Sequence, residues 1–301
     1  MKEQTIGVIG AKSMVGSRTD EKLKEDFRLV EADLNSDISV DITNVASVNN
    51  FFRNYEFDTA ILFSAFTDVD AAEKQRGDKN AACWQINVEG TKNVVDASEK
   101  YRRRLFFIST DFVYPGTSGP YSEDDPIGSD ETKLSWYGIT KIEAEKIVSK
   151  LSDYVILRIS YPYRAKFEGK DDIAKRILRL YKENRLYPMF VDQNITPTFI
   201  DDIAPAIELL IDSGAKGNFH LASPEITTQY DFAKELLTVF GQDPAKLERA
   251  SVVEFVKKPG ATPRPTKGGL KVGKITSLGF TPTDWRDGIR KIYDQSNGQL
   301  L

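Results

Sequence analysis

The chain has 301 residues, of which 40% are hydrophobic and 29% charged, with a formal net charge of −4. That length exceeds a usual domain of roughly 100–200 residues, so one large α/β unit or two unequal lobes is expected. No apolar run approaches the roughly 20 residues that cross a bilayer, and the mixed charges give no nucleic-acid surface, so neither a membrane nor a nucleic acid is an expected partner. Cys83 and His220 are the only residues of their types, which excludes an internal disulfide and cysteine-rich or multi-histidine metal centres, and makes a Ser-His-Asp triad a poor reading. Met1 to Thr5 lack signal-peptide anatomy, so a cytoplasmic protein is expected, with no resident metal.

In chain order, Thr5–Ile9 reads as a strand, Val15–Leu23 as a helix, Phe27–Ala32 as a strand, Val45–Tyr55 as a helix and Thr59–Phe63 as a strand. Ala81–Lys100 follows as a long helix, then the strand Leu105–Ser109, the helix Trp136–Leu151 and the strand Tyr154–Ile159. Strands alternating with helices predict an α/β fold, a doubly wound parallel sheet of Rossmann type with right-handed crossovers. Such sheets bind ligands beyond the carboxyl ends of their strands, so the loops after Ile9, Phe63, Ser109 and Ile159 should converge on one crevice. The second half is less regular: helices over Asp171–Asn184, Ile203–Ser213 and Tyr230–Phe240, a strand over Gly217–Leu221, and a Pro/Gly/Lys-rich loop over Lys257–Gly269. The expected organisation is a dinucleotide-binding domain over 1–160 and a smaller substrate lobe over 161–301, with segments near 190–222 returning to the main sheet. The run Arg102-Arg103-Arg104 follows a helix and reads as a complement to its dipole.

Three segments could carry chemistry. Ile9-Gly10-Ala11-Lys12-Ser13-Met14-Val15-Gly16 joins the first strand to the first helix. Gly10 permits a tight turn, Gly16 close helix–strand packing, and the free N–H groups at the helix start favour a pyrophosphate. Ser13 stands where a dinucleotide fingerprint carries its middle glycine. Next, the strand ending at Phe63 runs into Ser64-Ala65-Phe66-Thr67-Asp68-Val69-Asp70, where small residues let a cofactor lie against the backbone and acids suit a helix start. Last, the strand ending Ser109-Thr110-Asp111-Phe112 precedes Tyr137 and Lys141, four residues apart on one helix face. A phenol beside an ammonium makes a proton donor, because a positive neighbour lowers a pKa that is otherwise about 10.

Taken in order, these segments resemble an extended short-chain dehydrogenase/reductase, and most closely the dTDP-4-dehydrorhamnose reductase family. The likeness runs nearly end to end: Gly10 to Gly16, Asp41-Ile42, Thr67 to Glu73, Ile86 to Thr91, Ser109 to Tyr114, Pro120 to Glu123, Tyr137 to Lys141, Asp192 to Thr198, Asp201 to Ala204, Gly217 to Leu221 and Arg264-Pro265. The resemblance implies an NAD(P)H-dependent reductase of a keto-sugar nucleotide. It implies Thr110, Tyr137 and Lys141 as the catalytic set and Gly10, Ser13, Met14, Val15 and Gly16 as the pyrophosphate cradle. Asp41 and Ile42 would flank the adenine, Ser64, Ala65 and Phe66 would line the cofactor, and Asn87 would support the active-site backbone. Thr67, Val69, Asp111, Phe112, Tyr161 and Arg264 fall on its substrate side. A nucleotide sugar is the expected partner, with a homodimer as the assembly carried alongside.

The chain departs from the family pattern at Ser13, at Tyr161, where the family has Trp, and after Arg264-Pro265, where the usual Asn-Ser is missing. The latter two bear on substrate identity. NAD and NADP stay open: Glu31, Asp33 or Asn35 suits a ribose diol, while Arg18 suits a 2′-phosphate. Lys257, Lys258, Arg264 and Lys267 are candidate partners for substrate phosphates, or a solvated basic loop. Two rival readings are a sugar-nucleotide epimerase or dehydratase and a regulatory subunit like the β subunit of methionine adenosyltransferase. Thr110 is followed by Asp111-Phe112, not the Asp-Glu pair of many dehydratases. His220 reads as a packed strand residue.

Overall fold

The computed structural model describes residues 4–301. Its centre is a six-stranded parallel sheet of β1 (Thr5–Ile9), β2 (Arg28–Ala32), β3 (Thr59–Leu62), β4 (Arg104–Thr110), β5 (Tyr154–Ile159) and β6 (Gly217–His220), in the order β2-β1-β3-β4-β5-β6. Every pairing is parallel, with Ile9 opposite Leu62 and Thr110 opposite Ile159, so the carboxyl ends open on one side. Both faces are covered, which is why the strands read as continuous apolar runs. Successive residues feed opposite cores: Ile6, Val8, Phe106, Val155 and Leu157 enter one, and Ile9, Leu105, Phe107 and Ile156 the other.

The helices α1 (Met14–Leu23) and α2 (Val45–Asn54) follow β1 and β2, and α3 (82–101) leads into β4. The sequence gives α3 as a plain long helix; it runs Ala82–Trp84, then Gln85–Gly90 with π-helical bonding, then Thr91–Tyr101. It ends at Arg102 in the left-handed conformation, φ 56°. Arg103 then pairs with Glu56 at 2.7 Å, and Arg104, the first residue of β4, donates to the Ala215 carbonyl, so the arginine run does more than complement a dipole. The helix α4 (Trp136–Val148) is buried on nearly all sides, with Tyr137 and Lys141 on its first turns.

Beyond β5 come α5 (Ile173–Lys182), α6 (Ile203–Asp212), α7 (Gln229–Val239) and α8 (Trp285–Gln295). Ile177, Phe232, Leu236, Trp285 and Ile289 form a separate core, the smaller lobe. The chain crosses back from it: α6 packs Ile203, Ile207 and Leu210 into the sheet body, β6 extends the sheet, and Leu270, Val272 and Ile275 join the same core. The acids around Asp70 mark the start of the short helix Val69–Glu73, whereas the sequence pattern does not reveal α8 or the short helices Val252–Val256 and Gly273–Ser277. No helix among the described residues is long and apolar enough to cross a membrane.

Candidate active site

The loops at the carboxyl ends of β1, β3, β4 and β5 meet at one cleft of about 960 Å³, to which Gly10, Ser64, Thr110 and Tyr161 each contribute. Gly10 turns with φ +90°, and a Cβ there would lie 2.6 Å from Ser64 N. A Cβ at Gly16 would overlap the Gly10 carbonyl oxygen, so both glycines are required by packing before any ligand is considered. Ser13 has a task of its own: it is the N-cap of α1, and its Oγ accepts from Gly16 N at 3.0 Å. That leaves Met14 and Val15, at the open first turn, lining the cleft with donors that have no helical acceptor. The serine in place of a middle glycine therefore keeps the anion-facing N–H groups while capping the helix.

Asp33, Asp41 and Ile42 line the cleft together. Asp41 Oδ1 accepts from Thr43 N at 2.9 Å, and Asn93 holds the Ile42 carbonyl at 2.8 Å. Asp33 lines the cleft while its carboxylate accepts from Lys12 N at 2.8 Å. Arg18, a candidate for a 2′-phosphate, is committed elsewhere: it forms a fork with Asp201, both bonds 2.7 Å, and pairs with Glu21. Glu31 pairs with Lys24 at 2.8 Å on the outer surface.

Three expected cofactor residues sit behind the lining rather than on it: Gly16, Phe66 and Asn87. Asn87, in the π-helical turn, is 1% exposed. Its Oδ1 accepts from Phe66 N at 2.8 Å, and its Nδ2 donates to Phe66 O at 3.1 Å and to Thr140 Oγ1 at 3.0 Å. Asn87 thus ties the strand-end segment to α4 without facing the cleft. Ser64, Ala65, Thr67 and Val69 do line it.

Thr110, Tyr137 and Lys141 converge on the cleft wall. Ser135 caps α4 by accepting from Gly138 N at 3.1 Å, and Gly138 has no room for a Cβ against the Phe112 carbonyl oxygen. That close approach seats Tyr137 edge-on to Phe112, 5.9 Å between ring centres. Lys141 Nζ donates to Ile108 O at 2.8 Å and lies 3.8 Å from the centre of the Phe107 ring. Burial raises the Tyr137 phenol above its ordinary value; Thr110 opposes this and Asp111 adds to it. Burial likewise lowers Lys141 to about 7, against the pull of Glu145. The expectation that Lys141 depresses the Tyr137 pKa is therefore not met, because desolvation dominates both groups. Asp111, 4% exposed, is pushed up to about 6 by burial although Ser160 Oγ donates to it at 2.8 Å.

A buried ion pair stands behind this wall. Arg158 and Glu145 form two bonds of 3.0 and 2.7 Å, and Ser109 Oγ donates to Glu145 at 2.5 Å. Arg158 also donates to Tyr114 Oη at 2.6 Å, which meets His220 Nε2 at 2.9 Å. His220 is fully buried and lowered to about 3, first by burial, and it serves the packing as expected.

Elsewhere in the cleft lie Tyr161 and Arg264, the latter forking Asp70 at 2.7 and 2.9 Å across the mouth, while Phe112 lines it beside Tyr137. Of the candidate basic residues only Arg264 lines the cleft; Lys257 pairs with Glu254 at 2.7 Å. Sequence reasoning missed Phe190, Phe255, Arg176 and Gln229 in the cleft. They come from a two-residue strand, a short helix and the edges of α5 and α7, where no motif marks a binding residue.

The cradle at Gly10, the open donors of Met14 and Val15, and the long cleft fit a dinucleotide. Sheet, glycine turn and the wall of Thr110, Tyr137 and Lys141 together fit an NAD(P)-binding oxidoreductase. The chain belongs to the family described as RmlD substrate binding domain, whose model matches residues 4–297. It is 31% identical over 271 residues to a probable low-salt glycan biosynthesis reductase, Agl14, of Haloferax volcanii, covering 85% of this chain and 87% of that protein. It is 26% identical over 261 residues to the methionine adenosyltransferase 2 subunit beta of Mus musculus, covering 84% and 74%. Among solved structures, dTDP-4-dehydrorhamnose reductase of Bacillus anthracis in complex with NADP superposes with a TM-score of 0.86 at 26% identity, covering 98% of this chain and 100% of that one. An ortholog from Clostridium acetobutylicum gives 0.84 at 27% identity, covering 97% and 99%. Within this family the chain is an oxidoreductase of the nucleotide-sugar class.

Proposed function

We propose that the protein reduces a keto group of a nucleotide sugar, using NADH or NADPH. The observation that carries this reading is the convergence of Thr110, Tyr137 and Lys141 on one wall of a cleft that begins at the Gly10 turn. Gly10, Met14, Val15, Asp41, Ile42 and Ser64 would hold the dinucleotide, which when bound supplies the hydride. Tyr137 keeps its proton through the working pH range, because burial raises its phenol. It is thus a general acid, able to protonate the oxygen of the reduced carbonyl. Thr110, on the same wall as the phenol, orients the same oxygen. Lys141, lowered to about 7, carries part of its charge near neutral pH and is fixed by the Ile108 carbonyl.

Tyr137→Phe should keep dinucleotide binding and lose about 10²–10⁴ in turnover, the range for removal of a general acid. Near wild-type turnover of that variant on keto-sugar nucleotides would end the assignment. The likeness to the methionine adenosyltransferase subunit supports one alternative, a dinucleotide-binding regulatory subunit. Cofactor binding by the wild type, with no oxidation of NADH or NADPH on any of a panel of keto-sugar nucleotides, would favour it.

A further inference from the structure

Tyr161 holds φ 42°, in the left-handed region that an aromatic residue seldom occupies. Pro162 follows, and a residue before proline is further restricted. The conformation is held from both sides: Ser160 N donates to Thr198 Oγ1 at 3.0 Å, Thr198 N to Ser160 O at 2.8 Å, and Tyr163 N to Thr198 O at 3.0 Å. Strain fixed by its surroundings inside a cleft is a sign of function. What it achieves is to bring the phenol, and not only the ring, into a polar group. Gln229 Nε2 donates to Tyr161 Oη at 3.4 Å. Gln193, 1% exposed, lies on the same phenol, and its Oε1 has no hydrogen-bond partner among the described residues. Asp111, which accepts from the neighbouring Ser160 Oγ at 2.8 Å, lines the same cleft as this phenol and that of Tyr137. A polar strip therefore runs from the proton donor, over Asp111, to Tyr161 and Gln229.

We infer that this strip selects a sugar ring bearing a free hydroxyl or amino group toward Tyr161, in preference to the analogue with hydrogen at that carbon. The inference rests on the nucleotide-sugar reading above. A sugar hydroxyl can donate to and accept from the strip. A deoxy carbon in its place covers the phenol and the Gln229 amide without giving either a further partner, and sites built to hydrogen-bond a substrate hydroxyl reject the analogue that lacks it.

The test is equilibrium binding to the NADH- or NADPH-loaded protein of dTDP-glucose and its 2-deoxy, 3-deoxy and 6-deoxy analogues, so that the nucleotide half is constant. The expected result is that at least one deoxy analogue binds about ten-fold more weakly than dTDP-glucose. Tyr161→Phe should bring that ratio to within about two-fold, since only the phenolic hydroxyl is removed. Gln229→Leu, outside the strained segment, should narrow the same ratio if Tyr161→Phe fails to fold. Equal or tighter binding of every deoxy analogue by the wild type overturns the inference, as does a penalty that survives both substitutions. Failure of all four sugars to bind would instead overturn the nucleotide-sugar reading on which it stands.

Discussion

Thr110, Tyr137 and Lys141 stand on a strand end and on a helix buried on nearly every side, whereas Phe190, Gln229, Phe255 and Arg264 elsewhere in the cleft hang from short strands, helix edges and a Pro/Gly loop. Elements fixed by ladder bonds and by packing on two sides hold reacting groups to fractions of an ångström, and loops carry specificity because they can vary without disturbing the sheet. The contrast extends to charge. Glu145 and Arg158 behind the first set are 4% and 2% exposed, while Asp70 in the Arg264 pair across the mouth is 60% exposed. The first pair sits where water cannot screen it, and the second is a rim contact.

This difference can be broken or sharpened by substitution. Arg158→Ala should have the largest effect on folding, about 3–5 kcal/mol, because it leaves Glu145 buried without its partner. Chemical denaturation would measure it, and a loss below about 1 kcal/mol would show that the pair is more solvated than its burial indicates. Asn87→Ala should follow at about 1–3 kcal/mol, since the Phe66 N–H and carbonyl lose their partner behind the cleft wall. The same variant should weaken cofactor binding if that strand-end segment is held in place by Asn87; unchanged affinity would confine Asn87 to stability.

Asp20 offers a pH-dependent version of the experiment in the sheet body. Its carboxylate is 2% exposed, both oxygens lack a partner among the described residues, and it is raised to about 8, first by burial and then by Glu31. The folded state therefore holds this proton where the unfolded chain, with an ordinary value of 3.8, has released it. The contribution is stabilising at low pH and is lost as pH rises through about 8. Asp20→Asn should then gain stability relative to wild type at pH 9 by about 4 kcal/mol more than it does at pH 5, read from melting curves at the two values. A difference independent of pH would mean that the carboxylate is ionised in the fold throughout. The smallest effect belongs to the Arg264 contact: Asp70→Ala should change stability by at most about 1 kcal/mol, as exposed pairs do, while freeing Arg264 at the cleft mouth. A larger loss by denaturant titration would make that contact part of the rigid frame.

The alternation of apolar runs and amphipathic helices determined the parallel sheet and the end of it where the site lies, because each strand must bury both faces and each crossover has one hand. The spacing of Gly10 and Gly16, and of Tyr137 and Lys141, likewise follows from local geometry, which a linear pattern records. Only the tertiary structure decided the rest. It made Ser13 a helix cap, placed Asn87 behind the wall by way of a π-helical turn, and engaged Arg18 with Asp201, 183 residues away. It also reversed the expected phenol shift, since desolvation depends on what packs around Tyr137 and Lys141, and no spacing encodes that. The strained Tyr161 and its neighbours Gln229 and Gln193 come from segments far apart in the chain. Their meeting in one polar strip is a property of how the loops close over the sheet, not of any residue run.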